Sequence, residues 1–123
     1  MSVHSDLAGG RWHTLTLMEQ LGNAGSEVSR ALRARASGNH AREQAALARF
    51  LELMDLTIAD PRMRGRLREL CRAREVVCDF FVGDNEYRST SDSLDRYFLA
   101  FARAARLAQR PAPDHLKSTS FPT

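Results

Sequence analysis

Apolar side chains recur along this chain at intervals of three and four, and nowhere does a sustained every-second-residue alternation appear. Four segments carry the helical period. The first is predicted from Thr16 to Ala36, where Thr16 and Glu19 have the spacing of a capping box. Its seam is Met18, Leu21, Gly25, Val28 and Leu32, which leaves Asn23, Ser26, Glu27 and Arg30 facing outward. Gly22 and Gly25 each cost the helix about 1 kcal/mol against alanine, so a closely approaching neighbour is expected there. Gly38 and Asn39 separate this helix from the second, as C-terminal and N-terminal caps. The second runs from His40 to Ala59, with Leu47, Phe50, Leu51, Met54 and Ile58 inward.

Asp60-Pro61 is a helix-start signal, with the acid as N-cap and proline at the first helical position. The third helix is therefore predicted from Pro61 to Val82, on a seam of Met63, Leu67, Leu70, Val77 and Phe81. After a connection over residues 83–90, the fourth is predicted from Ser91 to Gln109, with Leu94, Phe98, Phe101, Ala105 and Ala108 inward. Helices of this length joined by short turns predict an all-α, antiparallel up-down-up-down four-helix bundle over residues 14–109. Residues 1–13 read as a loose lead-in and the proline-rich residues 110–123 as a disordered tail. A three-helix hairpin that completes its core only in an oligomer is the alternative. Leu21, Val28, Phe50, Met54, Leu67, Leu70, Phe98 and Phe101 are the expected core.

At 123 residues the chain can bury such a core without staples. No apolar run is long enough to cross a membrane, and MSVHSDLAGG lacks the basic-then-apolar order of a secretory signal, so a cytoplasmic protein is expected. Cys71 and Cys78 are about 10 Å apart along one helix, too far for a disulfide, and read as reduced core thiols. The four histidines (His4, His13, His40, His115) lie away from any inner face carrying carboxylates, and no Glu-x-x-His pair occurs, so neither a metal nor another cofactor is expected. Nucleophile-elbow, P-loop and dinucleotide motifs are missing as well.

Charge changes the picture more than motifs do. Seventeen of the 18 basic residues are arginine, a bias that fits phosphate recognition or a G- and C-rich genome. Residues 62–74 hold six arginines against Glu69, whereas residues 75–95 hold six acids against Arg88. In an up-down bundle Arg62, Arg64, Arg66 and Arg68 would share one end with Arg103, Arg106 and Arg110, with Arg11 alongside. Such a basic pole suits RNA or DNA phosphates, or an acidic patch on a protein partner or another copy. Codon bias explains the number of arginines but not their segregation. Arg74 interrupts the third seam. An unpaired buried guanidinium is costly, so an ion pair is expected, with Glu27 and Glu52 as candidate partners.

Two resemblances bear on function. Glu19-Gln20-Leu21-x2-Ala24-x-Ser26, with Asn23-Ala-Gly-Ser-Glu27 and the four bundle-length helices, resembles the small bacterial proteins grouped with the 23S rRNA intervening-sequence proteins. That resemblance covers residues 14–108 and implies a ring-like homo-oligomer with a basic surface and no established catalytic residues. Arg35-Ala-Ser-Gly-Asn-His40 resembles the Arg-x4–6-His motif of the HEPN superfamily. It implies a ribonuclease in which Arg35 and His40 act on the scissile phosphate. The expectation is thus a non-enzymatic bundle that self-associates and binds nucleic acid or a protein partner through its arginine-rich end. The ribonuclease is the alternative, and it requires Arg35 and His40 to converge in a cleft.

Overall fold

The computed structural model describes residues 11–109. A short 3-10 helix, Trp12–Thr14, leads into α1 (Leu17–Ala36) and α2 (His40–Ala59). A 3-10 helix, Pro61–Arg66, then precedes α3 (Leu67–Phe81), and α4 spans Ser91–Gln109. No strand occurs among the described residues, and four helices pack as an all-α bundle. No helix in this region is long and apolar enough to cross a membrane.

The caps act where the sequence puts them. Thr16 Oγ1 accepts from the Glu19 amide at 3.1 Å and Glu19 returns the bond to the Thr16 amide at 2.8 Å. Asn39 caps α2 through the Arg42 amide. Gly38, at φ +74°, makes the left-handed step between the two helices that a side chain would resist. Asp79 receives the amides of Glu86 and Tyr87, which folds the 83–90 connection back over the end of α3.

The helix α1 is the shared member of the bundle: it packs along α2 on one side and α4 on the other, while α3 rests mainly on α2. Gln20–Asp60, Glu27–Arg49 and Arg35–Glu43 pair rising positions on α1 with falling positions on and just after α2. Against α4, α1 presents its two glycines. A Cβ on Gly25 would strike the Phe98 side chain, and one on Gly22 would lie 3.2 Å from the Ala102 backbone. The space left at Gly25 admits the Phe98 ring, which meets Phe50 edge to face at 5.9 Å. Phe50, Met54, Leu21, Val28, Leu70, Val77 and Phe98 are buried together. Each side chain of this size contributes about 1.5–3 kcal/mol by leaving water.

Several expectations need correction. Trp12 is not loose: it is fully buried, and its indole N–H donates to Thr57 Oγ1 at 3.2 Å. The third helix is not α-helical from Pro61. Its first six residues turn as a 3-10 helix, and Arg66, at φ −121°, breaks the register before α3 begins. At 3.0 residues per turn rather than 3.6, the stripe from Met63 rotates, so Met63 is buried while Leu67 is 39% exposed. Phe101 is partly rather than fully buried, packing on the edge of the core. Cys71 is exposed, so it is not a core thiol. Cys78 is half-buried, and that burial pushes its thiol pKa up.

Trp12 belongs to a buried polar knot around Asp60. Gln20 Nε2 donates to the Trp12 carbonyl at 2.9 Å and to Asp60 Oδ2 at 3.2 Å. Turning the amide over would set its oxygen against those two acceptors, so this orientation is the one that pairs. Gln20 Oε1 is left buried without a partner among the described residues as the consequence. Arg62 clasps Asp60 at 2.6 Å and also donates to the Leu15 carbonyl at 2.7 Å. His13 Nδ1 lies 3.5 Å from the same carboxylate. Asp60 thereby joins the lead-in, α1, the end of α2 and the approach to α3.

Two outcomes are expected. Gly25→Leu should lower stability by about 1–3 kcal/mol through overpacking against Phe98; an unchanged denaturant midpoint would contradict the close crossing. The hydrogen bond from Arg62, foremost, holds the Asp60 carboxyl well below the usual carboxylate range. A depressed folded-state pKa gives stability that is present above the unfolded value of about 3.9 and is lost as pH falls below it. Between about pH 5 and pH 2 wild type should therefore lose more stability than Asp60→Asn. Parallel acid titrations of the two melting temperatures would show that this network does not depend on the charge.

Candidate anion-binding groove

The helices α1 and α2 enclose a carboxylate in their shared interface. Glu27, expected to face outward, is instead buried at 5% exposure. Its seam neighbour Val28 is buried too, so the inward face of α1 is wider than a strict heptad stripe. A buried carboxylate requires a cationic or hydrogen-bonded partner. Glu27 has two: Arg30 on its own helix at 2.8 Å and Arg49 on α2 at 3.1 Å.

These two guanidiniums stand at a groove of about 440 Å³ between α1 and α2. Arg33 on α1 and Arg42 on α2 complete its walls, with Ala34, Ala45 and Ala46 as a small-residue floor and Ser37 beside them. The side chains of Arg33 and Arg42 are exposed and make no hydrogen bond or ion pair among the described residues. Two arginines are thus oriented by a buried acid and two are available to a ligand. Four guanidiniums line the groove, two of them held by one carboxylate, and every lining group that can hydrogen-bond outward is cationic apart from Ser37 and the backbone.

Helix geometry accounts for the cluster. Arg30 and Arg33 are one turn apart on α1, and Arg42 and Arg49 are two turns apart on α2, so each pair lies along one face. The alanines allow the long side chains to cross the groove. Like charges gathered this closely repel, and the Glu27 carboxylate offsets part of that repulsion.

The arginines singled out in the sequence lie elsewhere. Arg62 is bound to Asp60 and the Leu15 carbonyl, which makes it a structural residue. Arg66 is paired with Glu69 at 3.3 Å, and together with Arg68 it borders a shallow surface hollow. Arg64 is exposed on the 3-10 helix. Arg106 borders a second shallow groove with Leu15 and Glu19, close to where Arg62 reaches Leu15, and Arg103 is exposed on α4. Arg110 and the expected tail lie outside the described residues. Arg74 does form an ion pair, but with Asp55 at 3.0 Å. Glu27 is taken by Arg30 and Arg49, and Glu52 is half-buried one turn before Asp55 on α2.

Arg35 and His40 are held apart in role. The Arg35 guanidinium lies 3.5 Å from Glu43 and covers the Phe80 ring at 4.9 Å, at the corner where α1, α2 and α3 meet. His40 is exposed at the first residue of α2, and no hydrogen bond or ion pair joins it to Arg35. Neither residue lines the arginine groove. Among the described residues no group of three or more His, Cys, Asp or Glu side chains is placed to hold a metal ion.

No protein-family model, curated protein or solved structure matches this chain. The function of the groove therefore rests on its own chemistry.

The groove residues are hidden in the sequence because arginines are densest over residues 62–74, whereas Arg30, Arg33, Arg42 and Arg49 are spread over two helices. The available signal is helical spacing on both sides of the Gly38 turn, which brings the two segments together.

Glu27→Gln should remove the charge that orients Arg30 and Arg49. Both arginines are partly exposed and can turn to water, so the expected loss is about 1–2 kcal/mol rather than that of a fully buried pair. Chemical denaturation checks this, and a gain in stability would show that Glu27 is strained rather than paired.

Proposed function

We propose that this protein is a non-enzymatic helical-bundle module that binds the phosphate backbone of nucleic acid through the groove between α1 and α2. The observation that carries the reading is the cluster of Arg30, Arg33, Arg42 and Arg49, of which Arg33 and Arg42 have no side-chain partner among the described residues. Guanidinium offers a planar fork of donors matched to phosphate oxygens and keeps its charge at every physiological pH. A net charge of +3 over the whole chain favours the same class of partner.

The lining also bears on how the nucleic acid is held. It contains no aromatic side chain on which an unpaired base could stack, and no Asn, Gln or acid turned outward to read a base edge. Backbone contact without base readout is sequence-indifferent and strongly salt-dependent. This reading moves the basic surface from the expected end of the bundle to its α1–α2 side. It also leaves Arg35 and His40 outside the interface, so a ribonuclease reading gains no support from their positions.

Retention on a duplex of mixed sequence tests the proposal. Four phosphate contacts give a slope of log affinity against log salt of about −3.5 on duplex DNA. Arg33→Glu with Arg42→Glu should abolish retention at low salt while leaving the circular dichroism spectrum and melting temperature close to wild type. Arg64→Glu with Arg68→Glu should weaken it only modestly. Loss of binding in the second pair with retention in the first would return the interface to the end of the bundle. No retention of wild type at low salt would remove the nucleic-acid reading altogether.

A further inference from the structure

The four guanidiniums of the α1–α2 groove are not equivalent along its length. The contacts Glu27–Arg49 and Arg35–Glu43 set the levels of the two helices against each other. By those levels Arg33 and Arg42 stand at the end next to the Gly38 turn. Arg30 and Arg49 stand farther from it, about one turn away on α1 and two on α2. At the turn end no carboxylate meets the guanidiniums: Arg33 and Arg42 have no ion pair among the described residues, and Glu43, which follows Arg42, is buried and paired with Arg35. The Ser37 hydroxyl at this end already donates to the Ala34 carbonyl at 3.1 Å, so the side-chain donors left are the two guanidiniums. At the far end Arg30 and Arg49 share the Glu27 carboxylate. The lining therefore carries two positive charges at the turn end and, as two guanidiniums less one carboxylate, a single one at the other. Since α1 ends and α2 begins at this turn, their opposed macrodipoles largely cancel and the side chains set the field.

We propose, on the reading that the groove holds a nucleic-acid backbone, that what it receives is the end of a strand. A terminal phosphate monoester sits at Arg33 and Arg42, and the adjoining phosphodiester sits at Arg30 and Arg49. Internal phosphates carry one negative charge each, so a strand passing straight through presents equal charges to unequal ends. It leaves one guanidinium charge at the turn end unmatched. A phosphate monoester carries close to two negative charges at pH 7, with three acceptor oxygens for two guanidinium forks. Monoester and diester thus place two charges and then one, in the same order as the groove. Both walls stop at the turn, where α1 ends at Ala36 and α2 begins at His40, so the phosphate held there is the last that the groove contacts. With no aromatic side chain in the lining the terminal base is not read. The class recognised is a phosphorylated strand end of any sequence.

Binding of the full chain to one short duplex of mixed sequence, prepared with hydroxyl, phosphate or methyl-phosphate groups at either end of its strands, tests this. The methyl ester keeps the phosphate and removes one of its charges. A terminal phosphate is expected to bind about tenfold tighter than a hydroxyl at low salt, and the methyl ester to stay near the hydroxyl. Arg33→Gln with Arg42→Gln should bring the three ends to one affinity with an unchanged circular dichroism spectrum. Arg64→Gln with Arg68→Gln should leave the ratio as in wild type. A nucleoside monophosphate, which has the monoester without the adjoining diester, should compete only weakly. Equal affinity for phosphate and hydroxyl ends overturns the strand-end inference and leaves the backbone reading standing. An end preference that survives in the Arg33 and Arg42 double variant overturns it too, as does a nucleoside monophosphate that competes as well as the duplex. Absence of binding to every one of these duplexes removes the backbone reading and this inference with it.

Discussion

Three buried carboxylates lie where α1 meets α2 and the turn after it, and the arrangement of the rest of the molecule depends on how they are satisfied. Asp60, Glu27 and Glu43 are 2%, 5% and 8% exposed. A carboxylate withdrawn from water is tolerable only with cationic or hydrogen-bonding partners. Each of the three is met by arginine: Asp60 by Arg62, Glu27 by Arg30 and Arg49, Glu43 by Arg35. These contacts occur at successive levels and so set how far α1 and α2 can slide past each other. Apolar contacts alone would leave that register less well defined, since alanine-rich faces fit at several offsets.

The same requirement explains why arginines sit where they do. A guanidinium that serves a buried acid from the surface has its charged end at the protein boundary, half in water. Around Asp60 this produces a closed structural knot, because Arg62 has the Leu15 carbonyl as a further acceptor. Around Glu43 it produces a covered corner, because Phe80 and Phe81 lie against Arg35. Around Glu27 neither cover is present, and Arg33 and Arg42 add two further charges. One physical device thus yields two structural ion pairs and one open, cationic groove. The opposite side of the bundle, where α3 and α4 stand apart, has an apolar seam instead of a charged one.

Local chemistry was the most legible part of the sequence. The bounds of α2 and α4, the capping box at Thr16 and the close approach at Gly25 all obey rules acting within a few residues. The 3-10 turn over Pro61–Arg66 was not legible, since the apolar spacing from Met63 to Leu67 suits an α-helix and only tertiary packing decides between the two. Trp12 looked unattached because the group that holds it, Thr57, lies 45 residues away. The burial of Glu27 depends on Arg49, 22 residues on and on another helix. The partner of Arg74 is Asp55 rather than Glu27 or Glu52: counting heights along a bundle locates the level but not which of two residues a turn apart meets the guanidinium, and the pair forms at the surface, where Asp55 is exposed. The candidate groove shared this difficulty, as its four arginines are dispersed in sequence and become a cluster only when α1 and α2 pair.

The pairing of α1 with α2 is what would build the phosphate-binding surface, with Glu27 beneath it. The most direct measurement is a nitrogen-15 spectrum of the arginine Nε–H groups during titration with a short nucleic-acid duplex. Each guanidinium reports separately, so the ligand identifies its own contacts. The signals of Arg33 and Arg42 should shift first and furthest, those of Arg30 and Arg49 should move after them, and that of Arg62 should stay where Asp60 holds it. Shifts confined to Arg64, Arg68, Arg103 and Arg106, with the groove signals unmoved, would contradict a phosphate-binding surface between α1 and α2.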